Sequence, residues 1–175
     1  MRSFLLKASI ILSSVATAAS MAVALAATDA VASAAPQSAR PPHVPYDEAA
    51  DAKAEIAAAL VAAQRAKVPV LVVFGANWCG DCKVLDLSFK EGEAAPLIAK
   101  NFKVVKVNVG RMDRNVDIAE SYGVPLKKGI PAVAVLSANG SVVYATQAGE
   151  LADARKMGDK GIVDFFTKVA KNKKD

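Results

Sequence analysis

The chain has 175 residues, which suits one domain plus a leader and argues against two full domains. Lys and Arg number 22 against 17 Asp and Glu, a formal net charge of +5. Arg2 and Lys7 precede every acidic residue, so the chain beyond residue 26 keeps only a mild basic excess. That excess is too small and too dispersed for a nucleic-acid footprint.

Residues 1–7 are basic, and Ala8 to Ala27 carry no charge. Ala24-Leu25-Ala26 follows as a small-x-small site. This is the order of a secretory signal, and it predicts a signal peptide over 1–26 with cleavage after Ala26. Ala32-Ser33-Ala34 is a second candidate site. The competing reading is an uncleaved inner-membrane anchor, although Ala, Ser and Thr dilute the run. Both readings place the domain outside the cytoplasm, in the periplasm or otherwise exported. Residues 27–46, rich in Ala, Ser and Pro, read as a flexible linker. The chain's one histidine, His43, lies there and is expected to be solvated. The domain is expected over 47–175.

Asp47 is the expected cap of a first helix over 47–66, striped by Ile56, Leu60 and Val61. Val70 to Phe74 is a continuous apolar run, as in a central strand covered on both faces. Helical pattern resumes over 83–89 and 94–100. A strand is predicted over 102–109, a short helix over 116–122 and a strand over 131–136. Asn139-Gly140 predicts a tight hairpin, because both residues tolerate positive φ, with the return strand at 141–146. A helix over 161–171 turns Ile162, Phe165, Phe166 and Val169 inward. Its Lys-rich end at 168–174 reads as a solvated helix terminus. Together these elements predict an α/β fold with a mixed sheet of about four to five strands flanked by helices.

The two cysteines, Cys79 and Cys82, stand at the junction of the apolar strand and the next helix. A Cys-x-x-Cys loop is too short to be a useful staple. A dithiol at a helix N-terminus is, by contrast, a good redox couple. No cluster of His, Cys and carboxylates supports a metal-centred enzyme, and no Gly-x-Gly-x-x-Gly pattern suggests a nucleotide or flavin. No cofactor is expected.

The stretch Trp78-Cys79-Gly80-Asp81-Cys82-Lys83 after a buried strand resembles the thioredoxin superfamily over roughly residues 50–171. Gly129-Ile130-Pro131 falls where that family keeps a cis-proline, and Lys106 where it keeps a buried lysine. The region around Ser88-Phe89-Lys90-Glu91 is closer to exported thioredoxin-like domains. The resemblance implies a thiol–disulfide oxidoreductase. Cys79 would be the exposed, attacking cysteine and Cys82 the buried, resolving one. Trp78 would shield the pair, and Ile130-Pro131 would offer backbone to an extended substrate. The implied partners are protein or peptide disulfides and a membrane-bound thiol donor, with a monomer expected and no nucleic acid.

Two departures from the family stand out. Val73 occupies the position of its buried acid, which leaves Asp86 as the substitute that would pair with Lys106 or serve Cys82; the alternative for Asp86 is a solvated helix carboxylate. Asp81 stands where many thioredoxins have proline. Its charge would disfavour the Cys79 thiolate and tilt the couple toward reductase or isomerase over strong oxidase. A Cu(I)-binding or metal-delivery module and a thioredoxin-fold binding protein are the alternative functions.

Overall fold

The computed structural model describes residues 43–172, so the expected signal peptide and most of the expected linker lie outside the described residues. The elements run α1 (Ala52–Ala66), β1 (Val70–Gly75), α2 (Gly80–Lys90), α3 (Ala95–Asn101), β2 (Lys103–Asn108) and α4 (Val116–Ser121). A 3₁₀ turn (Leu126–Lys128), β3 (Ala132–Leu136), β4 (Val142–Ala145) and α5 (Ala154–Lys171) follow. The sheet order is β2-β1-β3-β4. β1 pairs parallel with β2, with Val73 opposite Lys106, and antiparallel with β3, with Val73 opposite Val133.

Every residue of β1 is buried, because both faces of the strand are covered. Val70, Val72 and Phe74 pack with Ile56 and Ala63 of α1 and Ile118 of α4. Leu71 and Val73 pack with Leu85 of α2, Ile98 of α3, and Ile162 and Phe166 of α5. Pleat alternation thus splits one apolar run between two cores. Phe166 closes the second core edge-on against Phe89, ring centroids 4.9 Å apart.

Three local expectations need correction. Asp51, not Asp47, caps α1, accepting from the Lys53 and Ala54 amides. Asp47 instead closes a turn onto the Ala49 amide. In the hairpin only Gly140 takes positive φ, at 89°. The Asn139 side chain accepts from the Ser141 amide, and Ser137 pairs with Ser141 across a wider loop. The last helix begins at Ala154 and is broken after its first turn by Gly158, whose φ of 63° and ψ of 175° suit glycine.

The domain also begins earlier than residue 47. Tyr46 is 2% exposed, and its backbone N–H and C=O both bond the Asn77 side chain, at 2.9 and 2.8 Å. Its ring lies over Gly75, where a Cβ would overlap the Tyr46 hydroxyl and come within 2.9 Å of the Cys82 sulfur. Burial pushes the Tyr46 phenol up from its ordinary pKa and keeps it neutral.

Candidate active site

β1 ends at Gly75, and the loop Ala76-Asn77-Trp78 delivers Cys79 to the N-cap of α2. Cys79 and Cys82 form a disulfide, with Cα atoms 5.2 Å apart. The Cys79 sulfur accepts the Cys82 amide at 3.1 Å. It therefore occupies the place where a helix N-terminus stabilises an anion. Cys79 is 5% exposed and Cys82 fully buried, so an incoming group reaches Cys79 first.

Opposite the pair, the Ile130–Pro131 peptide is cis, as the family resemblance implies. The Ile130 carbonyl oxygen lies 3.5 Å from the Cys79 sulfur. Trp78 is 56% exposed beside the cysteines. Its indole N–H donates to the Gly110 carbonyl at 2.7 Å, which fixes the ring without burying it.

Asp86 is 3% exposed, not a solvated helix carboxylate. It lies one helical turn beyond Cys82 on the same face. Lys106 pairs with its Oδ1, while Lys90 Nζ lies 3.0 Å from its Oδ2. Burial pushes the Lys106 ammonium down from its ordinary value. His43, expected to be solvated in a linker, has its Nε2 2.6 Å from Asp86 Oδ2. Burial, and then the charges of Lys90 and Lys106, push the imidazole down. The lysines therefore supply the positive charge around Asp86. Val73 is packed in the second core opposite Lys106, so the acid absent from the strand is provided by the helix.

Asp81 is buried as well. Its Oδ1 accepts the Arg155 amide at 2.9 Å and its Oδ2 the Arg155 guanidinium at 3.0 Å. Burial pushes this carboxyl up, but the Arg155 hydrogen bonds and charge outweigh burial and hold it below the usual range. Asp81 therefore does not turn an unpaired charge on Cys79, as its position in the sequence suggested. Sequence reasoning missed Arg155, because the two residues are 74 positions apart. It also missed Tyr46, although an aromatic directly after a proline-rich stretch was an available signal.

The fold and dithiol define a thioredoxin-like protein, and comparison with known proteins agrees. The thioredoxin-like family model matches residues 51–138. Thioredoxin of Haemophilus influenzae is 39% identical over 84 residues, covering 48% of this chain and 69% of that one. Thioredoxin of Pseudomonas aeruginosa is 35% identical over 95 residues, covering 52% and 75%. The crystal structure of a disulphide isomerase from Xylella fastidiosa is 52% identical, with a TM-score of 0.70 over 73% of this chain and 97% of that one. The chain belongs to the thioredoxin-like family and is a thiol–disulfide oxidoreductase.

Proposed function

We propose that this chain is an exported thiol–disulfide oxidoreductase that reduces or isomerises protein disulfides. The observation that carries the reading is the Cys79 sulfur, held at the α2 N-terminus and facing the Ile130 carbonyl. In the reduced protein, the Cys79 thiolate attacks one sulfur of a substrate disulfide. The substrate S–S bond breaks, a mixed disulfide forms, and one substrate thiolate leaves and takes up a proton. Cys82, deprotonated, then attacks Cys79, releasing the second substrate thiol and closing the Cys79–Cys82 bond. The substrate gains two electrons and the protein loses them. An external dithiol donor returns them. In isomerisation Cys82 does not close: the first substrate thiolate attacks another disulfide of the same substrate, the thiolate freed there attacks the mixed disulfide and releases the Cys79 thiolate, and no net electrons pass.

Ile130 and Pro131 present backbone beside the cysteines to an extended substrate strand, in the manner of edge pairing. Trp78 offers an apolar plate next to it. Asp86, held by Lys106, assists the deprotonation of Cys82 in place of the acid absent at Val73. Export rests on the charge order of residues 1–27. The isomerising direction is supported by the 52% identity to the disulphide isomerase of Xylella fastidiosa. A membrane-bound thiol donor follows from activity outside the cytoplasm.

The test is Cys82→Ser, which is expected to accumulate mixed disulfides through Cys79 that Cys79→Ser abolishes. Absence of such adducts with a reducible protein disulfide would overturn the reading. Thiol trapping in cells is expected to find Cys79 and Cys82 mostly reduced; a mostly oxidised pair would reverse the direction.

A further inference from the structure

Asp81 is the residue between the cysteines whose charge most directly opposes a thiolate at Cys79. It does not stand alone. The carboxylate crosses to α5 and caps it in trans, taking the Arg155 amide in the first turn. Asp153, at the N-cap position of α5, makes no side-chain cap bond. The Arg155 side chain then returns over α2. The position a Cβ would take on Gly80 lies 3.3 Å from both Cζ and one terminal nitrogen of the guanidinium. The cation therefore covers the backbone of the residue that follows Cys79 while pairing with Asp81.

We propose that Arg155 is a positioning residue for the redox centre: its guanidinium cancels the Asp81 charge between the cysteines and so keeps the Cys79 thiolate accessible. This rests on Cys79 being the attacking thiolate. Without the guanidinium, an uncompensated carboxylate beside Cys79 opposes the stabilisation given by the helix N-terminus. Without the carboxylate, the guanidinium adds to that stabilisation. The two substitutions must therefore move Cys79 in opposite directions. The other charged groups on the elements that carry and flank the cysteines, Lys83 and the Asp86 cluster with Lys90 and Lys106, Lys127 and Lys128 before the cis-proline, and Arg111 after β2, are unchanged in every variant and do not enter the contrast. The guanidinium is exposed to solvent, so its effect is moderate and falls with salt.

Substituting the Arg155 side chain leaves its backbone bond to Asp81 in place, so the fold and the α5 cap survive. The test measures the Cys79 pKa in the reduced protein from the pH dependence of alkylation, with thiolate ultraviolet absorbance as a second probe. Arg155→Ala is expected to raise that pKa by roughly half a unit to one unit. Alkylation below the pKa then slows only about two- to threefold, because a more basic thiolate is intrinsically more nucleophilic. Asp81→Asn is expected to lower the pKa, the double variant to return near the unsubstituted value, and Arg155→Lys to keep most of it. An unchanged pKa in Arg155→Ala, or shifts of the same sign in Arg155→Ala and Asp81→Asn, would overturn the proposal. Should Asp81→Asn fold poorly, Arg155→Ala against Arg155→Lys decides alone, with equal values counting against it. Alkylation needs no disulfide substrate. A failure of the oxidoreductase reading would show as lost turnover with these shifts intact.

Discussion

At the residue scale, the site places its acid on a helix instead of a strand. Asp86 neutralises Lys106 from one turn beyond Cys82, while Val73 fills the strand position with an apolar side chain. Asp86→Asn should therefore do two things. It leaves Lys106 and Lys90 without their shared counter-ion, at a cost of about 1–3 kcal/mol in denaturant unfolding. It should also slow resolution of a mixed disulfide by Cys82 by about tenfold or more, with attack by Cys79 little changed; stopped-flow separation of the two steps checks this. A second residue-scale prediction concerns Gly75. Its missing Cβ makes room for the Tyr46 ring and the Cys82 sulfur, so Gly75→Ala is expected to destabilise by about 1–3 kcal/mol through overpacking, read from the unfolding midpoint. The cysteines were legible from their spacing at a strand–helix junction, and the cis-proline and Lys106 only through the resemblance to the thioredoxin superfamily. The pairing of Asp81 with Arg155 was not, since nothing local to either residue marks a partner 74 positions away.

Periodicity served the elements well wherever burial was strong. The apolar run of β1 reports burial on two faces, and the stripe Ile162, Phe166, Val169 reports the buried side of α5. It failed at helix starts, where a single cap decides. Two acidic residues compete for the start of α1, and the choice falls to Asp51, whose carboxylate reaches the second and third amides of the helix. Asp51→Ala is accordingly expected to cost about 1 kcal/mol, measured by denaturant unfolding, and Asp47→Ala clearly less. The start of α5 was hidden for another reason: its cap is on a different helix. This gives α5 an acid sensitivity that its own sequence does not contain. The Asp81 carboxyl is held below its unfolded pKa by Arg155. Its contribution to stability is therefore full above about pH 4 and is lost as pH falls through the lower folded value. Asp81→Asn should remove that part of the acid slope from unfolding midpoints measured across this window.

For the whole molecule, the open matter at the sequence level was where the domain starts. Composition alone makes residues 27–46 one linker, because Ala, Ser and Pro carry no periodic signal. Packing divides that stretch differently. Tyr46 is clamped through both backbone groups by Asn77, a residue of the loop that delivers Cys79. His43 meets Asp86 on the side where Lys106 emerges from the sheet. The segment leading into the domain thus touches both the cysteine loop and the buried charge cluster, and it belongs to the redox unit. Tyr46→Ala removes a fully enclosed aromatic ring and should destabilise by about 3 kcal/mol or more. The location of that loss distinguishes a structural entry segment from a tether. If the segment were a tether, cutting the chain before Asp47 would leave the thermal midpoint and the reduction rate of the disulfide unchanged. Because the ring seats against Gly75 beside the Cys82 sulfur, the cut chain is expected to melt earlier and to expose Cys82. Faster reduction of Cys79–Cys82 by a small dithiol than in the full chain would register that exposure, whereas equal rates would return His43 to Tyr46 to the linker.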